Sequence, residues 1–314
     1  MDVVHVAAAA IFGRDGRLLV SRRQAHQHQG GFWEFPGGKC EPGEPIESAL
    51  CRELEEELGI RPTRFSPLIT IPFDYPDKRV LLDVWRVDGF DGEPFGREGQ
   101  PLRWVVPAEL SPGDFPPANR PVISALQLTD RYLITGEFQT PDELITRCQR
   151  ALAQGVGMIQ LRMPGRSDDD SLAAQEALYP LCQRMGVPLI VNGDPERVSP
   201  QLADGIHLNR HRLAGVTPAS VQPWRQRWIG ASCHDQGELR RAVEIGAAYV
   251  TLSPVLPTLS HPEQPAMGWQ AFAELCRQAP LPVYALGGVS DSQLEDARRH
   301  GAQGVAAIRA YWDR

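Results

Sequence analysis

Two α/β domains in succession, a small mixed unit and then an eight-stranded barrel, are predicted by three observations. The chain has 314 residues, against roughly 150 for an ordinary domain. Its first part carries strand-like apolar runs of unequal length around one strongly acidic helical segment. From Arg131 onward, short apolar runs alternate eight times with amphipathic stretches. Strands that are continuously apolar over so few residues are covered on both faces, as in a parallel sheet, and eight βα units most simply close into a barrel. An open doubly wound sheet is the competing arrangement. The boundaries are drawn at residues 1–128 and 131–314, joined through Leu128-Thr129-Asp130.

In order along the first unit, Val3–Phe12 and Arg17–Ser21 read as strands joined by the turn Gly13-Arg14-Asp15-Gly16, whose glycines suit a tight reversal. A loop rich in Gly and His follows, then a helix near 45–58. Strands are expected at 66–73, at 79–87 and at Trp104–Val106, and a short helix at 120–127 follows the proline-stiffened segment Asp114–Asn119. The barrel strands are expected at Tyr132–Thr135, Met158–Arg162, Pro188–Asn192, Gly205–Leu208, Trp228–Ser232, Tyr249–Ser253, Val283–Leu286 and Val305–Ile308. Leu239–Ile245 and Trp269–Arg277 are two of the helices between them.

Composition excludes several classes. Apolar residues make up 42% and charged residues 23%, which is neither a disordered nor a fibrous balance. The net charge is -7 with no Lys/Arg-rich run, so direct nucleic-acid binding is not expected. The longest N-terminal apolar stretch is far shorter than the roughly 20 residues that span a bilayer, and it lacks the basic start of a secretion signal. The six cysteines show neither CxxC pairing nor metal spacing. A cytoplasmic, membrane-free protein is expected.

The acidic helix carries the chemistry. Residues 41–57 contain seven glutamates (41, 44, 47, 53, 55, 56 and 57) and one base, Arg52. At about 100° per residue, Glu53, Glu56 and Glu57 share roughly 100° of arc, bordering the apolar stripe Ile46, Leu50, Leu54 and Leu58. A solvated acidic face is the plain reading of a Glu-rich helix. Like charges three and four residues apart repel one another, however, and partial burial sharpens the repulsion. A hard divalent cation such as Mg²⁺ or Mn²⁺ reverses the sign, because it prefers oxygen ligands.

The spacing is more specific than the charge. Gly38 is followed by Glu44, then Arg52-Glu53-Leu54, then Glu56-Glu57, then Gly59-Ile60. This resembles the Nudix box at every defined position, and the resemblance implies a Nudix α/β/α sandwich that hydrolyses a nucleoside diphosphate linked to another group. Residues 1–128 further resemble the MutT branch through Ser21-Arg22-Arg23, Glu34–Lys39, Glu93–Gln100 and Asp114–Asn119. That likeness implies cleavage of 8-oxo-dGTP to the monophosphate and pyrophosphate, a sanitation of the nucleotide pool that prevents mutation. It also implies roles. Glu53, Glu56, Glu57, Glu98 and the Gly37 carbonyl form the metal shell. Glu53 or a neighbouring acid orients or deprotonates the attacking water, Arg52 pins Glu53, and Glu44 supports the loop. Lys39 meets a phosphate. Asn119, Arg23, His28 and the Glu34-Phe35-Pro36-Gly37 segment form the base pocket. An Asn amide offers both a donor and an acceptor and so matches O6 and the N7–H of 8-oxoguanine, whereas guanine presents an acceptor at N7.

Residues 131–310 resemble thiamine-phosphate synthase and its TenI-like relatives, through Ile159–Arg162, Val191-Asn192, Ala203–Leu208, Ile229–Ser232, Pro257-Thr258 and Leu286–Val289. The likeness places a phosphate site at Arg162, Asn192, Gly287 and Gly288, so a phosphorylated ligand in the barrel is expected. The departures are as informative. A family Lys stands as Pro164 and the Asn-Asp pair as Asn192-Gly193. A second metal-binding Asp stands as Arg212, another Lys as His261, and a phosphate-site Ser as Arg309. Asp194 replaces one acid only after a one-residue shift. The expectation is a degenerate barrel. The alternatives are a Nudix enzyme acting on thiamine diphosphate or a related diphosphate, a bifunctional enzyme with a working synthase half, and a barrel that senses a ligand for the hydrolase.

Overall fold

The computed structural model describes residues 3–24, 29–258 and 265–313. The chain divides into two compact units, Met1–Gln127 and Leu128–Arg314.

The first unit is built on a sheet of seven strands among the described residues: β1 (Val3–Phe12), β2 (Leu18–Arg22), β3 (Trp33–Glu34), β4 (Gly37–Lys39), β5 (Arg61–Asp74), β6 (Arg79–Asp91) and β7 (Leu102–Val105). The order is β3-β2-β1-β6-β5, with β4 added to β1 and β7 to β2. β1 and β6 run parallel over nine paired residues; the other pairs are antiparallel. Two helices cover the sheet, α1 (Ile46–Leu58) and α2 (Arg120–Gln127). The stretch Ala7–Ile11 of β1 is apolar because it is buried on both faces. Ala8 and Ala10 join the core that holds Val122 and Ile123 of α2, whereas Ala7, Ala9 and Ile11 join the core under Ala49, Leu50, Leu54 and Leu58 of α1. The architecture is an α/β/α sandwich. Gly59 ends α1 in the left-handed region at φ 71°. Its N–H donates to Glu55 O, and that of Ile60 to Leu54 O, closing the last turn as C-terminal glycines do.

Strands β8 (Arg131–Ile134), β9 (Met158–Leu161), β10 (Leu189–Asn192), β11 (Gly205–Leu208), β12 (Trp228–Cys233), β13 (Tyr249–Leu252), β14 (Val283–Leu286) and β15 (Gly304–Ala307) form a closed parallel barrel. Pairing of β15 with β8 completes the circle and excludes the open sheet. The helices are α3 (Pro141–Ala153), α4 (Asp168–Met185), α5 (Arg210–Gly215), α6 (Gln236–Glu244), α7 (Gly268–Gln278), α8 (Leu294–Arg299) and α9 (Arg309–Trp312). Leu133, Ile159, Leu161 and Val191 join the cluster that also holds helix residues such as Leu144, Leu178 and Phe272. Tyr132, Met158, Ile190, Tyr249 and Tyr284 gather in a separate cluster that fills the interior. No helix among the described residues is long and apolar enough to cross a membrane, and all six cysteines are free thiols.

Candidate active site

The acidic box is assembled by helix α1, strand β4 and the segment 93–100. Gly37 and Gly38 pair with Ala8 and Ala7 of β1, which brings the strand close over α1. Neither position has room for a side chain. A Cβ on Gly37 would lie 2.1 Å from Ala7 O, and one on Gly38 would lie 2.2 Å from the carboxylate of Glu53. The Gly37 N–H donates to Glu57 Oε2 at 3.1 Å.

Arg52 organises the opposite side. Its guanidinium donates twice to Glu44, at 3.0 and 2.9 Å. It also donates to Glu53 Oε1 at 2.8 Å, to Glu56 Oε2 at 3.3 Å and to Lys39 O at 3.0 Å. Glu44 in turn accepts the Glu41 N–H at 2.9 Å. Glu53 is 15% exposed and Glu56 is 60% exposed, so the two box acids differ sharply in access to water. Glu55 pairs with Arg61 instead.

Glu57 is the most perturbed acid. Burial pushes its carboxyl up to about 8, and the charges of Glu34, Glu98 and Glu53 add to the rise against the hydrogen bond from Gly37. Glu34 is raised as well, by burial first, while its ion pair with Arg23 pulls it back. These are carboxylate oxygens in excess of the Arg23 and Arg52 charges that pair with some of them, and the missing side chain of Gly38 makes room for the Glu53 carboxylate. That donor set fits a hard divalent ion. The carboxylates are not drawn together around a point, however: no group of three or more His, Cys, Asp or Glu side chains among the described residues is arranged to hold a metal. Arg52 draws Glu53 and Glu56 aside, and Gly37 fixes Glu57.

Glu98 is carried by a loop stapled to the end of α1. Its N–H donates to Gln100 Oε1 at 2.9 Å, while Gln100 Nε2 donates to Glu57 O at 3.1 Å. Gln24 Nε2 donates to Glu98 O at 2.8 Å, and Arg97 reaches Glu55 O at 2.9 Å. Sequence reasoning singled out Glu98 but neither glutamine. A Gln in a loop carries no local signature; its role appears only when the loop folds onto the helix.

The residues expected around a base are partly assembled. Phe35 is buried and stacks on Phe115, with ring centroids 5.4 Å apart, and Pro36 is buried beside it. Arg23 pairs with Glu34, whose charge also acts on Glu57. Asn119 ends a 3-10 turn at Pro117–Asn119 and is half-buried. Tyr75 was not anticipated. Its hydroxyl is influenced by the Ala118 backbone and by Arg23, linking the end of β5 to the Asn119 turn. Trp33 was also missed; Arg22 and Arg103 lie over its ring. Lys39 is exposed, with its carbonyl taken by Arg52. His28 lies outside the described residues.

The expected barrel residues are engaged by their neighbours. Asn192 makes two side-chain bonds. Its Nδ2 donates to Gln160 Oε1 at 2.9 Å, and its Oδ1 accepts from Arg212 Nη1 at 3.1 Å. Gln160 continues to Tyr132 Oη at 2.7 Å, which meets Tyr249 Oη at 2.8 Å. The Asn192 amide is the outer link of a buried polar chain. Arg162 is half-buried and takes no side-chain hydrogen bond or ion pair among the described residues. Gly287 and Gly288 both have positive φ, 90° and 69°, and a Cβ on them would lie 2.8 Å from Pro254 and 2.7 Å from Leu256 respectively. His261 lies outside the described residues.

A carboxylate-rich hydrolase sandwich followed by a parallel barrel is the class these features define. A NUDIX domain model matches residues 7–125, and a Thiamine monophosphate synthase model matches residues 131–311. The first unit is 42% identical over 127 residues to the 8-oxo-dGTP diphosphatase of Escherichia coli, spanning 40% of this chain and 98% of that protein. The second is 32% identical over 183 residues to the thiamine-phosphate synthase of Thiobacillus denitrificans, spanning 58% of this chain and 86% of that one. The solved thiamine phosphate pyrophosphorylase of Pyrococcus furiosus shares the barrel fold, with TM-score 0.50, 21% identity, and coverage of 62% of this chain and 89% of that chain. The chain belongs to the Nudix family through its first unit and to the thiamine monophosphate synthase family through its second. It is a hydrolase of the Nudix type, a class that works with a divalent cation.

Proposed function

We propose that the chain hydrolyses oxidised purine nucleoside triphosphates, 8-oxo-dGTP above all, to the monophosphate and pyrophosphate with Mg²⁺, and so cleans the cytoplasmic nucleotide pool without touching nucleic acid itself. The observation that carries this reading is the 42% identity to an 8-oxo-dGTP diphosphatase over nearly that protein's whole length, with the acidic box and the Asn119 turn both present.

Glu53, Glu56, Glu57, Glu98 and the Gly37 carbonyl are the groups that would hold Mg²⁺, or Mn²⁺ in its place. When bound, the cation neutralises the triphosphate and polarises the phosphorus. The chain's own work is positioning. Arg52 fixes Glu53 against Glu44 so that its free oxygen faces the space over Gly38. Glu53, or Glu57 beside it, accepts the proton of a water attacking the β-phosphorus. Lys39 meets the phosphates. Arg23, His28 and the Glu34–Gly37 backbone border the base. The Asn119 amide donates to O6 and accepts the N7–H that guanine lacks. A donor–acceptor mismatch in a dry site costs about 1–3 kcal/mol, which is enough for a strong preference.

The test is steady-state hydrolysis of 8-oxo-dGTP, dGTP and thiamine diphosphate by the full chain. A large kcat/KM preference for 8-oxo-dGTP is expected. It should be lost in Glu53→Gln and narrowed toward dGTP in Asn119→Ala. Equal turnover of thiamine diphosphate would move the substrate to the pathway of the fused barrel.

A bifunctional enzyme is the second reading, favoured by the synthase likeness of residues 131–311. The substitutions at Pro164, Gly193 and Arg212 weigh against it. In the preferred reading the barrel keeps a site for a phosphorylated ligand and lacks the synthase reaction. Growth of a thiamine-requiring strain on the full chain would reverse that preference.

A further inference from the structure

The synthase family implies a divalent cation at the mouth of the barrel, held by acids that follow β10 and β11. The residues present do not fit one. Arg212 stands where the second acid is expected, and its guanidinium lies 3.1 Å from Asn192 Oδ1. Its backbone N–H donates to Asn209 Oδ1 at 3.0 Å, which caps the start of α5. The nearby acids are occupied. Arg197 donates to Asp168 Oδ2 at 2.9 Å and lies 3.8 Å from Asp194 Oδ2, and Asp194 Oδ1 accepts the Glu196 N–H at 3.0 Å.

These groups line one cavity of about 160 Å³ at the end of β9 and β10, walled by Arg166, Ser167, Asp168, Asp194, Arg197 and Arg212 among others. Its volume is several times the ~30 Å³ share of one water molecule, which is room for a phosphoryl group. Arg197 answers the two carboxylates. Among the described residues the Arg212 side chain meets only Asn192, whereas Arg166 reaches Phe138 O at 3.3 Å and acts electrostatically on the Asp170 carboxylate. The cavity wall thus carries three guanidiniums against two carboxylates, and the unpaired Arg212 is the group able to receive an anion.

We propose that this cavity binds a phosphate-bearing anion without metal, the Arg212 guanidinium supplying the positive charge that a divalent cation supplies in the synthases. The proposal rests on reading the barrel as retaining a phosphorylated-ligand site, and it adds the charge source and the residues. Arg166 closes the outer side of the site. Asn192 holds Arg212 by one face and transmits its position to Gln160, Tyr132 and Tyr249 inside the barrel.

Calorimetric titration of the full chain with inorganic phosphate, in EDTA and then in Mg²⁺, tests it. Binding in EDTA is expected. Loss of a charge-assisted hydrogen bond should weaken that binding about tenfold in Arg212→Gln and about tenfold in Arg166→Gln. Arg166 is exposed, so its replacement leaves the barrel folded and keeps the test decisive if Arg212→Gln perturbs the mouth. Arg212→Asp should abolish binding in EDTA. Phosphate binding that requires Mg²⁺, or that is as tight in both glutamine variants as in the unaltered chain, would overturn the role of the arginines. Absence of binding under every condition would overturn the ligand site itself. None of these outcomes depends on the hydrolase assay.

Discussion

Arg52 is bound to three carboxylates and a carbonyl at once, and its work is geometric. Its fork holds Glu44 with two nitrogens and steers Glu53 with a third bond, a planar pattern that an ammonium cannot copy. Arg52→Lys is therefore expected to lower kcat by about a hundredfold, with a much smaller change in KM, since a misplaced catalytic group costs on that order; steady-state kinetics on 8-oxo-dGTP checks this. Gly38 gives a sharper case. A methyl group there would lie against the Glu53 carboxylate, so Gly38→Ala should abolish hydrolysis while the first unit stays folded, as circular dichroism and the melting temperature would show. If Gly38→Ala keeps more than a tenth of the activity, Glu53 does not work from the position over β4.

The loop 93–100 acts as an element through its junction with α1. Gln100 bridges Glu98 and Glu57 by backbone bonds, so Gln100→Ala should loosen one acid relative to the other. Groups that support metal ligands typically cost about 10–100-fold in metal affinity when removed; a Mn²⁺ titration followed by paramagnetic resonance would read this without turnover. This staple was not legible in the sequence, because it ties a loop side chain to the backbone of Glu57, 43 residues away. The acidic box was legible, because its residues share one helix and a fixed period. So were all eight barrel strands, each a compact apolar run. β3 and β4 were not anticipated: they are two and three residues long, and β4 contains Gly37 and Gly38, which carry no strand signal. β5 starts at Arg61 rather than near 66, since Pro62 and Pro67 disguise a strand that lies at the sheet edge beside β6 alone, where proline is tolerated. The partners of Asn192 were not legible for a related reason. Sequence shows an amide at a strand end, but not that Gln160 and Arg212 claim both of its ends.

At the scale of the whole molecule, the two units have separate cores and opposite responses to pH. In the sandwich, Glu57 has its carboxyl raised to about 8 by burial among acids, well above an unfolded glutamate at about 4.3. Between those values the folded state binds more protons than the unfolded one, so metal-free stability falls as pH rises from about 4.5 through 8. A divalent cation bound to the folded state offsets this by mass action. In the barrel, burial lowers His207 to about 3. Its Nε2 meets Ser232 Oγ at 2.9 Å, while Nδ1 has no hydrogen-bond partner among the described residues. Below about 6.5 the unfolded chain takes up a proton that folded His207 refuses, so barrel stability is lost as pH falls toward 3, by about 1.4 kcal/mol per pH unit from this residue. Thermal unfolding of the full chain should therefore show two transitions. Mg²⁺ at pH 8 should raise one of them and leave the other in place. Moving from pH 7 to pH 5 in EDTA should lower the Mg²⁺-insensitive one, and His207→Gln should blunt that drop. A single transition shifted as a whole by Mg²⁺ would mean that the units share their stability, and the cation on α1 would then act on the barrel as well.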